Sequence, residues 1–142
     1  MEREYPLAPL VGVAGVVIQD GCVLMIQRGQ EPGRGRWSIP GGRLHLGERL
    51  CDGVEREILE ECGVRVRAGK VLGVADLIQR DDDGRVRYHY VLVDLAAEYL
   101  SGAPCPSSDV LAARWVPFDA LPSLEMPDRL RSLLDRVKTE HV

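Results

Sequence analysis

The sequence contains no CxxC pair and none of the usual zinc-ligand spacings; Cys22, Cys51, Cys62 and Cys105 stand singly. That excludes a cysteine-built zinc module and offers no disulfide framework, so reduced thiols in a cytoplasmic protein are the expectation. Nor is there an excess of basic residues: 18 Lys and Arg face 22 Asp and Glu, a net charge of −4. A binder of the phosphate backbone would show a basic stripe, so no nucleic-acid polymer is expected as a partner. The longest apolar stretch, VGVAGVVI at residues 11–18, falls far short of the roughly 20 residues that span a bilayer. MEREYPLAPL lacks a basic region followed by an apolar run and does not read as a signal peptide. No membrane is expected as a partner. Repeats, low-complexity tracts and linkers are missing as well.

What is present fits one domain over residues 1–142, with 45% apolar and 28% charged residues. The acidic field would repel a small anionic ligand, which would therefore need a metal cation as mediator. Residues 11–18 read as a strand, and Asp20-Gly21 turns the chain into a second strand at 23–27. GQEPGRGR, at 29–36, is loop by composition, and a short strand at Trp37–Ile39 is expected to stop at Pro40-Gly41-Gly42. A helix is predicted over 49–61, with Leu50, Cys51, Val54, Ile58 and Cys62 on one side and Gly63 as its stop. Strands at about 70–79 and 86–96 flank a DDDG turn at 81–84; a strand at 113–117 and a helix at about 127–138 follow. Strands with one helix between them and one at the end suggest a mixed sheet with helices on its faces.

Within the first helix, Glu57, Glu60 and Glu61 occupy positions i, i+3 and i+4, beside the apolar stripe. Like charges so spaced repel by a few tenths of a kcal/mol per pair, and more when desolvated. A divalent cation reverses that sign, and hard ions such as Mg²⁺ take carboxylate, carbonyl, water and phosphate oxygens. The plainer reading is a solvated acidic face. Two neighbours favour the ion. Gly53 lies one turn before Glu57 and leaves room for a close approach, or for close packing on the sheet. The Pro40-Gly41-Gly42 turn can bring a backbone carbonyl to a cation or amides to a phosphate.

Taken whole, GRLHLGERLCDGVEREILEECGV (42–64) resembles the Nudix box, the signature of the Nudix hydrolase family. The specified places are filled by Gly42, Glu48, Arg56, Glu57, Ile58, Glu60, Glu61, Gly63 and Val64. At average residue usage such a match arises by chance at a given start on the order of 10⁻⁹ of the time. GRWSIPGG before it, and YHYVLVDL and ARWVPFDALP after it, resemble flanking strands of bacterial members. The resemblance implies an α+β Nudix fold, an α/β/α sandwich with a mixed sheet carrying a loop-helix-loop. It implies Mg²⁺ or Mn²⁺ bound by Glu57, Glu60, Glu61 and the backbone carbonyl of Gly41 or Gly42. Glu48 and Arg56 would form an ion pair bracing loop and helix, with Glu48 near the metal as a further option. The implied reaction is hydrolysis of a pyrophosphate linkage in a nucleoside diphosphate joined to another group, by metal-activated water. Glu61 or Glu60 would take the proton or hold the water-bearing metal; Asp109 is the downstream candidate base, with Glu98 and Asp76 weaker. Expected partners are a small nucleotide substrate and, as an option, a second copy of the chain in a homodimer.

Two places depart from the family pattern: His45 stands where most members carry Glu, and Ala112 where Glu is common. Arg28, Arg34 and Arg36 are candidate phosphate contacts, Arg28 foremost. Trp37 is a base-stacking candidate or, more plainly, a core residue. On the strand at 86–96, either Tyr88 and Tyr90 or His89 can line a pocket, because neighbours point to opposite faces. The flanks are closest to ADP-ribose or nucleotide-sugar pyrophosphatases. Gln79, however, replaces a proline frequent in ADP-ribose enzymes, and no tyrosine at 80–82 marks a dinucleoside-polyphosphate enzyme. A nucleoside triphosphate pyrophosphohydrolase that sanitises the nucleotide pool is the alternative. A non-catalytic nucleotide-sensing domain is disfavoured by the full set of carboxylates.

Overall fold

The structure, a computed structural model, describes residues 3–141. The elements run β1 Leu10–Gln19, β2 Cys22–Arg28, β3 Trp37–Ser38, β4 Gly41–Arg43, α1 Leu50–Cys62, β5 Arg65–Arg80 and β6 Val86–Ser101. After them come β7 Val110–Pro117, a 3₁₀ helix at Phe118–Ser123 and α2 Asp128–His141. No helix among the described residues is long and apolar enough to cross a membrane, and all four cysteines are free.

Asp20 and Gly21 both take positive φ, 52° and 76°, the left-handed pair that lets a two-residue turn follow the strand twist. The hairpin stays paired only near this turn, Ile18 with Val23 and Gln19 with Cys22. Beyond it β2 leaves β1 and pairs antiparallel with β3 and β7. On its other side β1 runs parallel to β6 from Leu10↔Tyr90 to Val17↔Ala97, and β6 pairs antiparallel with β5. The sheet is therefore mixed.

Strand alternation sorts the core into two layers. Val13, Val17, Leu24 and Ile26 pack with Val54, Ile58 and Cys62 of α1. Val16, Val23 and Met25 pack with Leu130, Leu133, Leu134 and Val137 of α2. A helix thus covers each face, giving an α/β/α sandwich of the α+β class. Gly63 ends α1 in the left-handed region (φ 73°), its N–H donating to the Leu59 carbonyl.

Two expectations are corrected and one open alternative is decided. Gly41-Gly42 is not only a breaker: with Arg43 it forms β4, antiparallel to β1 through Gly12↔Arg43, Val13↔Gly42 and Ala14↔Gly41. A side chain at Gly41 would run into the Val13 carbonyl and Ala14, so glycine is what allows this strand to enter. Second, β5 begins at Arg65 and β6 reaches Ser101, beyond the expected 70–79 and 86–96. Register irregularities between Ala68 and Val71, and between Val71 and Gly73, break the alternation that would have marked β5 as one strand. Third, the room at Gly53 serves packing: a Cβ there would meet Leu44 Cδ1 at 2.7 Å and Glu48 Oε1 at 3.1 Å.

Candidate active site

Where β2 parts from β1, a cleft of about 480 Å³ opens. Its floor is Gly12–Ala14 of β1 with Tyr90, Leu92 and Asp94 of β6; one wall is β4 with Glu57 and Glu61 of α1. Arg28, Gly29, Gln30, Arg36 and Asp109 line the opposite wall.

Helical geometry ranks the three glutamates. At about 100° per residue, Val54, Ile58 and Cys62 centre the buried stripe; Glu61 lies about 60° from that centre, Glu57 about 100° and Glu60 about 160°. Burial follows: Glu57's side chain is 17% exposed and Glu60's 60%. Glu61 accepts the Gly41 N–H at 3.0 Å. Glu57's carboxylate lies against the Gly42 backbone, in the space a Cβ at Gly42 would take. Glu57 and Glu61 thus meet at Gly41-Gly42, whereas Glu60 turns outward to Arg56 Nη1 at 3.1 Å and does not line the cleft.

The Glu48–Arg56 pair is two-pronged, with Nε 2.7 Å from Oε2 and Nη2 2.9 Å from Oε1. Arg56 also donates to Glu57 at 2.7 Å and to the Arg43 carbonyl at 3.1 Å, tying α1 to β4. The Arg56 contact holds the Glu48 carboxyl far down, at about 2, helped by the His45 N–H. This engagement leaves Glu48 a brace. Glu61 goes the other way. Burial pushes its carboxyl up to about 7, Glu57 and Asp109 add repulsion, and the Gly41 N–H and Arg28 oppose the rise.

Among the described residues, no three His, Cys, Asp or Glu side chains gather closely enough to hold an ion by themselves. The donors at Gly41-Gly42 nevertheless suit one. Two hard carboxylates meet at the Gly41-Gly42 backbone and line one cleft, and Mg²⁺ commonly takes one or two carboxylates and leaves its other positions to water and phosphate.

Asp109 reaches the cleft, where Gln30 Nε2 donates to its Oδ1 at 3.1 Å; Asp76 and Glu98 do not line it. Arg28 donates to the Pro32 carbonyl at 2.7 Å, and its pKa is lowered by burial first and by nearby Arg3 second. Arg34 does not line the cleft and donates to the Gly29 carbonyl. Trp37 is buried under Arg114, whose guanidinium carbon is 4.5 Å from the ring centre. Tyr90 lines the cleft and accepts from Arg3. The substrate-binding expectation for Tyr88 is corrected. Its ring is buried with Leu10 and Tyr90, and its hydroxyl donates to Glu4 at 3.1 Å, away from the cleft lining.

Sequence reasoning missed Asp94 and Arg129, which meet at 2.6 Å on the cleft lining. The available signal was a lone acid inside the apolar run YVLVDLAA. Arg3 and Gln30 were missed too, and single-residue patterns carried no signal for them.

The NUDIX domain model matches residues 8–137. The chain is 30% identical over 118 residues to an ADP-ribose pyrophosphatase of Methanocaldococcus jannaschii, covering 83% of this chain and 68% of that protein. It is 29% identical over 121 residues to the oxidized purine nucleoside triphosphate hydrolase of Mus musculus, covering 80% and 70%. It thus spans roughly two thirds of these curated relatives. The crystal structure of a MutT NUDIX hydrolase from Burkholderia pseudomallei superposes with a TM-score of 0.77 at 33% identity, covering 92% of this chain and 98% of that one. With the box filled, the sandwich formed and the family model matched along most of its length, the chain belongs to the Nudix hydrolase family.

Proposed function

We propose that the protein hydrolyses the pyrophosphate linkage of a nucleoside diphosphate joined to a second group, of the ADP-ribose or nucleotide-sugar type, with Mg²⁺ or Mn²⁺. The observation that carries this reading is the meeting of Glu57 and Glu61 at Gly41-Gly42, facing Arg28 and Asp109 across one cleft. The archaeal relative named as an ADP-ribose pyrophosphatase supports it.

Glu57, Glu61 and a backbone carbonyl of Gly41 or Gly42 would hold the ion, with Glu60 joining once it leaves Arg56. When bound, the ion neutralises phosphate oxygens and acidifies a water. The chain's own residues do the rest. Glu48 and Arg56 keep the loop registered on α1, so Glu57 stays aimed at Gly42. Arg28 offers a guanidinium to the second phosphate. Glu61 is the proton acceptor we favour, held by the Gly41 N–H at 3.0 Å beside Glu57 inside the cleft; Asp109 across the cleft is the other candidate.

A second reading, nucleoside triphosphate pyrophosphohydrolysis, is supported by the mouse relative that acts on oxidized purine nucleoside triphosphates. One experiment addresses both. ADP-ribose, nucleotide sugars and normal and oxidised triphosphates are assayed with Mg²⁺ and Mn²⁺, alongside Glu61→Gln and thermal melts with and without metal. Metal-dependent turnover of a diphosphate derivative that Glu61→Gln abolishes supports the first reading; turnover of triphosphates alone moves the assignment to the second. Absence of both turnover and metal stabilisation in the wild type overturns the proposal.

A further inference from the structure

Asp94 is the one polar or charged residue in the buried class among the described residues, 2% exposed, between Val93 and Leu95 of β6. Its Oδ2 meets Arg129 Nη1, in the first turn of α2. A buried ion pair rarely stabilises more than apolar residues of equal volume would. The pair therefore asks for a role beyond fastening α2.

Its form suggests one. Arg56 spends both prongs of its fork on Glu48. Arg129 gives Asp94 a single nitrogen, so Nε and Nη2 stay uncommitted among the described residues. Arg129 lines the cleft, with its side chain about one-third exposed (34%).

Strand pairing gives the distance to the carboxylate end. Ala14 pairs with Gly41 on one side and Asp94 on the other. At about 4.8 Å per strand, Asp94 lies about 10 Å across the sheet from Gly41, the scale of one nucleoside. Leu77, Leu92 and Ile39 line the same cleft, apolar surfaces suited to a flat ring.

Arginine donates and never accepts. Guanine presents two acceptors, O6 and N7, on one edge, whereas adenine sets an amino donor beside N7. We propose that Arg129, positioned by Asp94, reads the substrate's base and favours guanine over adenine, which would select a guanine nucleotide sugar over ADP-ribose within the proposed substrate class; this specificity rests on the cleft being a pyrophosphate-hydrolysing site. Asp94 acts here as a positioning residue: it orients the guanidinium and restrains its approach.

The test pairs binding with turnover. Equilibrium binding of GMP and AMP to the metal-free protein is measured by calorimetry, and kcat/KM for GDP-glucose and ADP-glucose with Mg²⁺, in which only the base differs. The wild type is expected to favour guanine by about tenfold or more in both. Arg129→Gln, whose amide both donates and accepts, should bring both ratios close to unity, and Arg129→Lys should lower them. Asp94→Asn should lower the ratios in the same direction; should it fail to fold, the two Arg129 variants decide alone. A wild-type ratio near unity or favouring adenine, or a guanine preference that survives Arg129→Gln, overturns the proposal. Absence of metal-dependent turnover of either sugar nucleotide would count against the hydrolase reading, while the binding ratios still judge the base contact.

Discussion

Arg56 grips Glu48 with two nitrogens, at 2.7 and 2.9 Å, and places the third between Glu57 at 2.7 Å and Glu60 at 3.1 Å. One guanidinium thus answers three of the four box carboxylates. The fourth, Glu61, makes no ion pair among the described residues, and it is the one that burial lifts to about 7. The crowding of like charges has two answers in this molecule. Arg56 supplies the charge beside Glu48, Glu57 and Glu60, and Glu61 is left to a proton or to an ion shared with Glu57.

Arg56→Ala leaves Glu48 and Glu57 without their shared partner. The expected loss is about 2 kcal/mol of folding stability, from charge-assisted bonds at a partly shielded site. Urea denaturation measures it. Arg56→Lys keeps the charge but not the fork and should recover less than half. Full stability in Arg56→Ala would show that the loop does not depend on this brace.

The pH dependence of the metal-free protein has a definite sign. Glu61 is raised from 4.5 to about 7 on folding. Its stabilising contribution is complete below about 4.5 and is lost as pH climbs toward 7. Glu48 is lowered to about 2, so its contribution is present above 4.5 and lost as pH falls toward 2. Melting temperature without metal should therefore decline between pH 4.5 and 7, and Glu61→Gln should flatten that decline. Added Mg²⁺ should restore stability at the upper end. A flat wild-type profile would contradict the burial of Glu61.

Gly42→Ala puts a methyl group where Glu57's carboxylate rests, with Oε1 2.8 Å from the new Cβ. The carboxylate must swing away, so metal-dependent turnover is expected to fall by about 100-fold, the scale of losing one well-placed catalytic group. Far-ultraviolet circular dichroism should stay unchanged. Gly41→Ala instead collides with the backbone of β1 and should lower the melting temperature as well.

Asp109→Asn tests the candidate base that holds no ion, and Glu61→Gln removes the other candidate together with a proposed ion ligand. Removing the proton acceptor should lower kcat by at least about 100-fold, whereas a group that only orients the loop should cost less than about tenfold. We expect the larger effect at Glu61, because Asp109 is exposed to water whereas Glu61 is half-buried beside Glu57. The reverse order would move the base to Asp109.

Much of the molecule could be read from local chemistry. The Asp20-Gly21 turn, the α1 stripe with its Gly63 stop and the α2 stripe each depend on neighbours within a few residues; the turn and α1 formed within one residue of expectation, and α2 runs three residues past its expected end. The pairing of Glu48 with Arg56 bridges only eight positions and was legible from the motif. By contrast, β4 depends on β1, some 28 residues earlier, leaving room for two glycines. Tyr88 and Tyr90 share a strand face, yet only contacts at its edge decide that one lines the cleft and the other binds Glu4.

The sequence by itself determined which side chains carry charge and in what order they follow one another along α1, since helical period acts over a few residues. Only the tertiary structure decided which of them lose their water. Glu61 is half-buried because the helix is rolled onto the sheet by Val54, Ile58 and Cys62, and Asp94 meets Arg129 because α2 returns across β6, 35 residues on. Desolvation depends on what lies overhead in space, and no local pattern encodes it.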